Sequence, residues 1–175
     1  EVREETTGVY AQLDFRFTAF GLPWRGDVGA RWFKTEQRSG GNAVVGDEVS
    51  FITVDNEYDM ILPSANLSVE FTDALMGRVS IAETIARPGL GSLSPGGNVS
   101  VQGANRSYSA GNPFLKPTKS KNLDLSLEWY PQSGAILAAG VFYKDIDTFV
   151  QTTREVRSYA SSGLPASLLD GTGAN

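Results

Sequence analysis

Between Lys121 and Tyr143 the chain alternates with a period of two. Leu123, Leu125, Leu127 and Trp129 are interleaved with Asn122, Asp124, Ser126, Glu128 and Tyr130. Successive side chains of a strand point to opposite faces, so this pattern predicts a strand with one apolar and one polar face. Pro131-Gln132-Ser133-Gly134 turns the chain, and a further strand runs back through Phe142 and Tyr143 to about Gln151. The same alternation recurs upstream. Gly8–Phe20 sets Val9, Ala11, Leu13, Phe15 and Phe17 against Tyr10, Gln12, Asp14, Arg16 and Thr18. After a turn over Gly21–Gly26, Asp27–Thr35 sets Val28, Ala30 and Trp32 against Asp27, Gly29 and Arg31. A third strand lies between Val49 and Thr72, with Ala65, Leu67, Val69 and Phe71 opposing Ser64, Asn66, Ser68 and Glu70. A fourth covers Met76–Arg87, where Val79 and Ile81 oppose Arg78 and Ser80.

These elements predict an all-β fold, an antiparallel up-and-down meander of about six strands. Two positions strain the pattern. Pro63 sits inside the third strand, which is uncomfortable for a central strand unless a bulge absorbs it. Glu83 falls on the apolar side of the fourth, so either the apolar zone ends there or the register shifts. The connections alternate in length: short after strands one, three and five, long after two (Glu36 to about Glu48), four (Pro88–Lys119) and six. All long loops therefore lie at one end of the sheet. Membrane barrels show this asymmetry, together with apolar-out, polar-in strands and aromatics at the lipid boundaries. A soluble all-β domain with an ordinary core is the alternative, and a soluble up-and-down barrel shares the loop rhythm.

Composition narrows the chemistry. The net charge of -5 carries no basic footprint for nucleic acid. A spanning helix needs about 18 consecutive apolar residues, and no run approaches that. Cysteine and histidine are both absent, which removes thiol nucleophiles, disulfides, Ser-His triads and imidazole or thiolate metal ligands. The chain opens on charged Glu1-Val2-Arg3-Glu4-Glu5 without a signal sequence, so either a signal has been removed or this is an internal piece, and the end on Gly171-Thr172-Gly173-Ala174-Asn175 favours a piece of a longer polypeptide. Pro88-Gly89-Leu90-Gly91-Ser92-Leu93-Ser94 lacks the third glycine and the following helix of a phosphate loop. Asp145 and Asp147 share a strand face but have no third acidic partner nearby, so they read as a solvated strand end. No catalytic residue, metal ligand or cofactor site is expected.

Several stretches resemble the barrel of a TonB-dependent outer-membrane receptor. They are Leu62-Pro63-Ser64-Ala65-Asn66-Leu67, Ala86-Arg87-Pro88, Gly111-Asn112-Pro113-Phe114-Leu115-Lys116-Pro117, Asn122–Tyr130 and Phe142-Tyr143-Lys144-Asp145-Ile146. Each is short; their order and spacing across most of the chain carry the likeness, which is greatest to the environmental-proteobacterial branch. The resemblance implies a 22-stranded barrel around a plug domain, opened by the inner-membrane TonB system. It further implies residence in the outer membrane, contact with its lipid, and uptake of a scarce nutrient such as a siderophore-iron complex, cobalamin or an oligosaccharide. Residues 1–175 would supply about six strands, with neither plug nor final strand, and residues 88–119 a long external loop. Placed in such a barrel, Asp14, Arg16, Arg31, Glu70, Arg78, Asp124 and Glu128 face the lumen or plug; a solvated wall without individual roles is the plainer reading of each. In the external loop Arg106, Tyr108, Asn112 and Phe114 offer hydrogen bonds and stacking to a ligand, against a loop tip that touches nothing. Trp24, Trp32 and Trp129 read as interface aromatics or core fillers. Cut out alone, six strands leave open edges and a lipid face in water, and self-association is expected. The alternative function is a soluble ligand- or carbohydrate-binding module.

Overall fold

A backbone that does not coil into helices must find its hydrogen bonds between strands. The computed structural model describes residues 1–45, 48–102, 105–156 and 158. The elements are β1 (Val2–Ala19), β2 (Leu22–Val45), β3 (Glu48–Thr72), β4 (Leu75–Ala86), a 3-10 turn (Leu90–Leu93), β5 (Gly97–Gln102), β6 (Asn105–Ala110), β7 (Thr118–Trp129) and β8 (Leu137–Ile146). Six strands form one antiparallel sheet in the order β1-β2-β3-β4-β7-β8, while β5 and β6 form a separate hairpin. The main sheet is thus an up-and-down meander with open edges at β1 and β8.

Several boundaries differ from the sequence reading, each for a local reason. The turn between β1 and β2 is Phe20-Gly21, both with positive φ (56° and 75°), the backbone of a tight type I′ hairpin. Residues 22–26 therefore belong to β2. The stretch from Glu36, expected as a loop, continues β2 and pairs with the first half of β3 as far as Val45↔Glu48. Glu36–Asn42 carries no apolar side chain, so hydrophobic periodicity vanishes while the ladder persists. Residues 88–119, expected without regular structure, contain the 3-10 turn and the β5–β6 hairpin. At the other end β8 stops at Ile146.

Pro63 pairs with Ala30 without a bulge. The β3–β4 ladder ends one residue away at Ser64↔Ala82, so the missing amide costs no bond to β4. The register shift lies instead between Glu70 and Thr72, around Phe71. Glu83 pairs with Lys121 in an unbroken β4–β7 register, so the apolar zone ends there.

That zone is continuous. Leu13, Val28, Ala65, Ile81, Leu123 and Tyr143 are successive cross-strand partners in one row over all six strands. No described residue packs over it: Leu13 is 65% exposed and Val141 66%. Among the described residues the buried apolar side chains other than proline are only Phe33, Val69 and Leu93.

Its margins are sharp. Towards the short turns, Trp24 stacks on Phe17 (centroids 6.0 Å, 3° between planes) and its indole N–H donates to the Ala19 carbonyl at 3.2 Å. At the other margin the Trp32 indole donates to Asp59 at 3.3 Å. Beyond Trp32, Ile61, Ile81, Leu123 and Tyr143 the next position on this face is Lys34, Asp59, Glu83, Lys121 or Asp145. Lys34 there bonds Glu57 (2.8 Å) and Glu36 (3.1 Å), and Lys119 bonds Glu83 (2.6 Å). From Trp24 to Trp32, at about 3.4 Å per residue, the band runs about 27 Å along β2. A strand tilt near 40° brings that to about 20 Å, close to the roughly 25 Å band of outer-membrane barrels. The upper margin steps from Ile61 on β3 to Ile81, partner of Ala65, on β4. A flat boundary crosses tilted strands in such steps.

Candidate functional site

The opposite face is mainly polar from β1 to β7, with Phe33, Tyr58, Met60 and Leu62 midway and Ala138, Gly140 and Phe142 on β8, and its two halves differ. Call the end with the short turns the lower end. There the register aligns side chains in rows of one charge type. Asp14, Asp27, Asn66, Ser80 and Asp124 form one row; Arg16, Arg25, Ser68, Arg78 and Ser126 form the next; Glu70, Met76 and Glu128 follow. Charges meet across the rows. Arg78 grips Glu128 with two nitrogens (2.8 and 3.3 Å), and the Tyr130 hydroxyl donates to the same carboxylate at 2.7 Å. Arg25 donates to Ser68 Oγ (3.1 Å) and approaches Glu70 to 3.9 Å. Asn66 donates to Asp27 (2.9 Å) and accepts from Ser80 (2.7 Å). Together Asp14, Arg16, Arg25, Asp27 and Arg78 border a shallow concavity of about 700 Å³.

The upper half is covered, and the β2 side chains beneath the cover are uncharged. Phe33, Thr35, Gln37 and Ser39 follow one another on β2 at alternate positions, and all are buried. Their cover is the segment between β4 and β7. Gln37 Nε2 donates to the Pro113 carbonyl (3.0 Å), and Asn56 Nδ2 donates to the same oxygen (3.2 Å). Arg87, at the end of β4, reaches past β3 to Thr6 (2.9 Å), Thr35 (3.4 Å) and Glu4 (3.5 Å). A Cβ on Gly41 would lie 2.7 Å from the Gly96 amide nitrogen, and one on Gly96 would lie 2.8 Å from the Asn42 carbonyl. The wall and the segment thus touch backbone to backbone, where only glycine fits. Inside the segment Gly111 N–H donates to Ser94 O (3.1 Å) and Asn112 N–H to Ser92 O (2.7 Å), and Leu93 is wholly buried.

All seven residues expected to face the lumen lie on this polar face. Asp14, Arg16, Glu70, Arg78, Asp124 and Glu128 gather in the charged rows; Arg31 stands further up, between Tyr10 and Leu62. Of the four ligand candidates, Tyr108, Asn112 and Phe114 do not converge. Asn112 borders a polar cavity of about 800 Å³ with Asn42, Ser92, Ser94, Ser109 and Thr152. Its Oδ1 accepts from the Phe114 amide at 3.0 Å, capping a turn. Phe114 is 60% exposed and Tyr108 lies against Gly97; neither lines that cavity. The Arg106 side chain lies outside the described residues. The residues that build the upper site, Thr35, Gln37, Asn56, Arg87 and Leu93, escaped the sequence reading. Gln37 lay in an expected loop, and Arg87 was read only as part of a motif.

A model of the β-barrel of TonB dependent receptor-like proteins matches residues 1–168. Among solved structures, the ferric-catecholate import receptor Fiu from E. coli K12, closed form, matches with a TM-score of 0.52 at 18% identity, over 83% of this chain and 22% of that one. The ferric yersiniabactin uptake receptor FyuA from Yersinia pestis gives 0.49 at 18% identity, over 83% of this chain and 20% of that chain. The siderophore receptor PirA from Pseudomonas aeruginosa gives 0.48 at 16% identity, over 92% and 36%. The likeness to Fiu is one of fold, and this chain spans about a fifth of its length. No curated protein matches the chain in sequence.

Proposed function

The chain belongs to the TonB-dependent receptor β-barrel family, and from that premise we propose that it forms a sector of an outer-membrane barrel importing a scarce nutrient. The observation that carries this is the uncovered apolar band. A soluble β-module buries its apolar face under a second layer. Here the only covering segment among the described residues lies on the polar face, and the apolar face is bare between two tryptophan margins. Lipid is the solvent such a face matches. The polar face then lines the lumen, where its paired charges meet water, cargo or a plug domain carried elsewhere in the polypeptide. Energy would come from the TonB system through that plug, and no covalent bond is made or broken. Tyr108, Asn112, Phe114 and Arg106 stand on the segment nearest an incoming ligand. A ferric siderophore is the cargo to try first, since the receptors of like fold are named for such cargo; cobalamin and oligosaccharides follow.

The test combines location and transport. An antibody against residues 88–119 should detect a band far larger than 18.8 kDa in the outer-membrane fraction of source cells. Deleting the gene should abolish energised uptake of one of these nutrients. A soluble band of the chain's own size would point back to a binding module.

A further inference from the structure

External loops are expected to be the mobile part of a receptor, since loops carry few buried contacts. The segment 87–117 is built otherwise. It is fixed at three separated places: Arg87 on Glu4, Thr6 and Thr35; Gly96 against Gly41; and Pro113 under Gln37 and Asn56. Between them Leu93 is 0% exposed, as are Thr35 and Ser39 on the wall. Both donors converge on one carbonyl, which fixes position more strictly than either bond alone. The proline before Phe114 also has fixed φ, so the clamped carbonyl sits on stiff chain.

We propose that this segment is a permanent inward shelf on the barrel wall, seated before any ligand arrives, and that Gln37, Asn56 and Arg87 are its positioning residues. The shelf narrows the lumen from one side and presents the β5–β6 hairpin, with Tyr108, to the cargo. Cargo passes over the shelf; the shelf does not swing out to fetch it. The lumenal location rests on the receptor reading above, whereas the seat rests on the contacts themselves.

The chain has no cysteine, so single reporters in the full-length receptor give a clean signal, other cysteines having been removed. A water-soluble maleimide is applied to intact cells and to cells with a permeabilised outer membrane, without added ligand. F114C, at a 60% exposed site, is the reference. L93C should react at least tenfold more slowly, and so should S39C, a nearly isosteric change on the wall that keeps folding intact if L93C does not. Adding Gln37→Ala, Asn56→Ala and Arg87→Ala together should bring both rates to within about threefold of F114C while leaving F114C itself unchanged. L93C and S39C reacting as fast as F114C in folded receptor would overturn the shelf. So would protection that survives removal of both donors together with Arg87→Ala. F114C reacting only after permeabilisation would overturn the surface location, and the rate ratio decides the seat in either preparation.

Discussion

The two halves of the polar face are made by the same strands with the same alternation, yet they solve different problems. The lower half carries Arg25, Arg78, Glu70 and Glu128 in open, partly exposed pairs. The upper half carries Thr35, Gln37 and Ser39, buried and without charge. An ionised side chain beneath a seated segment would lose its hydration without a full set of partners. A neutral amide can be satisfied by neutral acceptors, as the Gln37 amide group is by the Pro113 carbonyl and the Ser39 hydroxyl. On β2, neutral polarity lies where the chain folds back; the charge that does enter there, Arg87, is met by Glu4, Thr6 and Thr35. The covered half is therefore a designed contact surface, and the open half a wall.

Breaking this distinction has its largest effect in the covered half. Gln37→Glu removes a donor and sets a carboxylate against the Pro113 carbonyl, which should cost about 3–5 kcal/mol of local stability. The readout is loss of protease resistance across residues 88–117 in the full receptor. Next comes the opposite face. Leu125→Arg, mid-band, should cost about 2–4 kcal/mol, whereas Ser126→Arg on the polar face should cost little, as measured by urea unfolding of the receptor in lipid vesicles. In the open half, Arg78→Met parts a half-exposed pair and should lower stability by about 1 kcal/mol or less in the same assay. A double exchange, Arg78→Glu with Glu128→Arg, should restore most of it. Smallest is Tyr58→Phe. The Tyr58 hydroxyl is buried with no partner among the described residues, so its removal should change stability by no more than about 0.5 kcal/mol and make it no worse. A clear loss there would mean that the hydroxyl is bonded in the assembled receptor.

The wall was legible in the sequence because each of its positions obeys a period of two with a hydrophobic mark on one side. Leu123 to Trp129 and Val9 to Phe17 announce their faces without help, and the seven charged positions on the polar face followed by simple alternation. Sequence reading ended where that mark did. From Glu36 to Asn42 both faces of β2 are polar or glycine, so a long strand read as a loop. The seat of segment 87–117 was less legible still. It depends on residues far apart in sequence, Gln37 with Pro113 and Gly41 with Gly96, whose side chains carry no local signature. Glycine at 41 and 96 read as loop composition, although each is required by a backbone approach under 3 Å.

The central claim, that this sheet stands between lipid and a watery lumen, is tested most directly by a single-cysteine scan of residues 122–129 in the full-length receptor, in native outer membrane. Each cysteine is probed with a water-soluble maleimide and with a lipid-soluble one. The account predicts a period of two: positions 123, 125 and 127 react only with the lipid-soluble reagent, and 122, 124 and 126 with the water-soluble one. Uniform reaction with the water-soluble reagent, or protection of the odd positions from both, would contradict it, the first placing the sheet in water and the second burying its apolar face in a protein core.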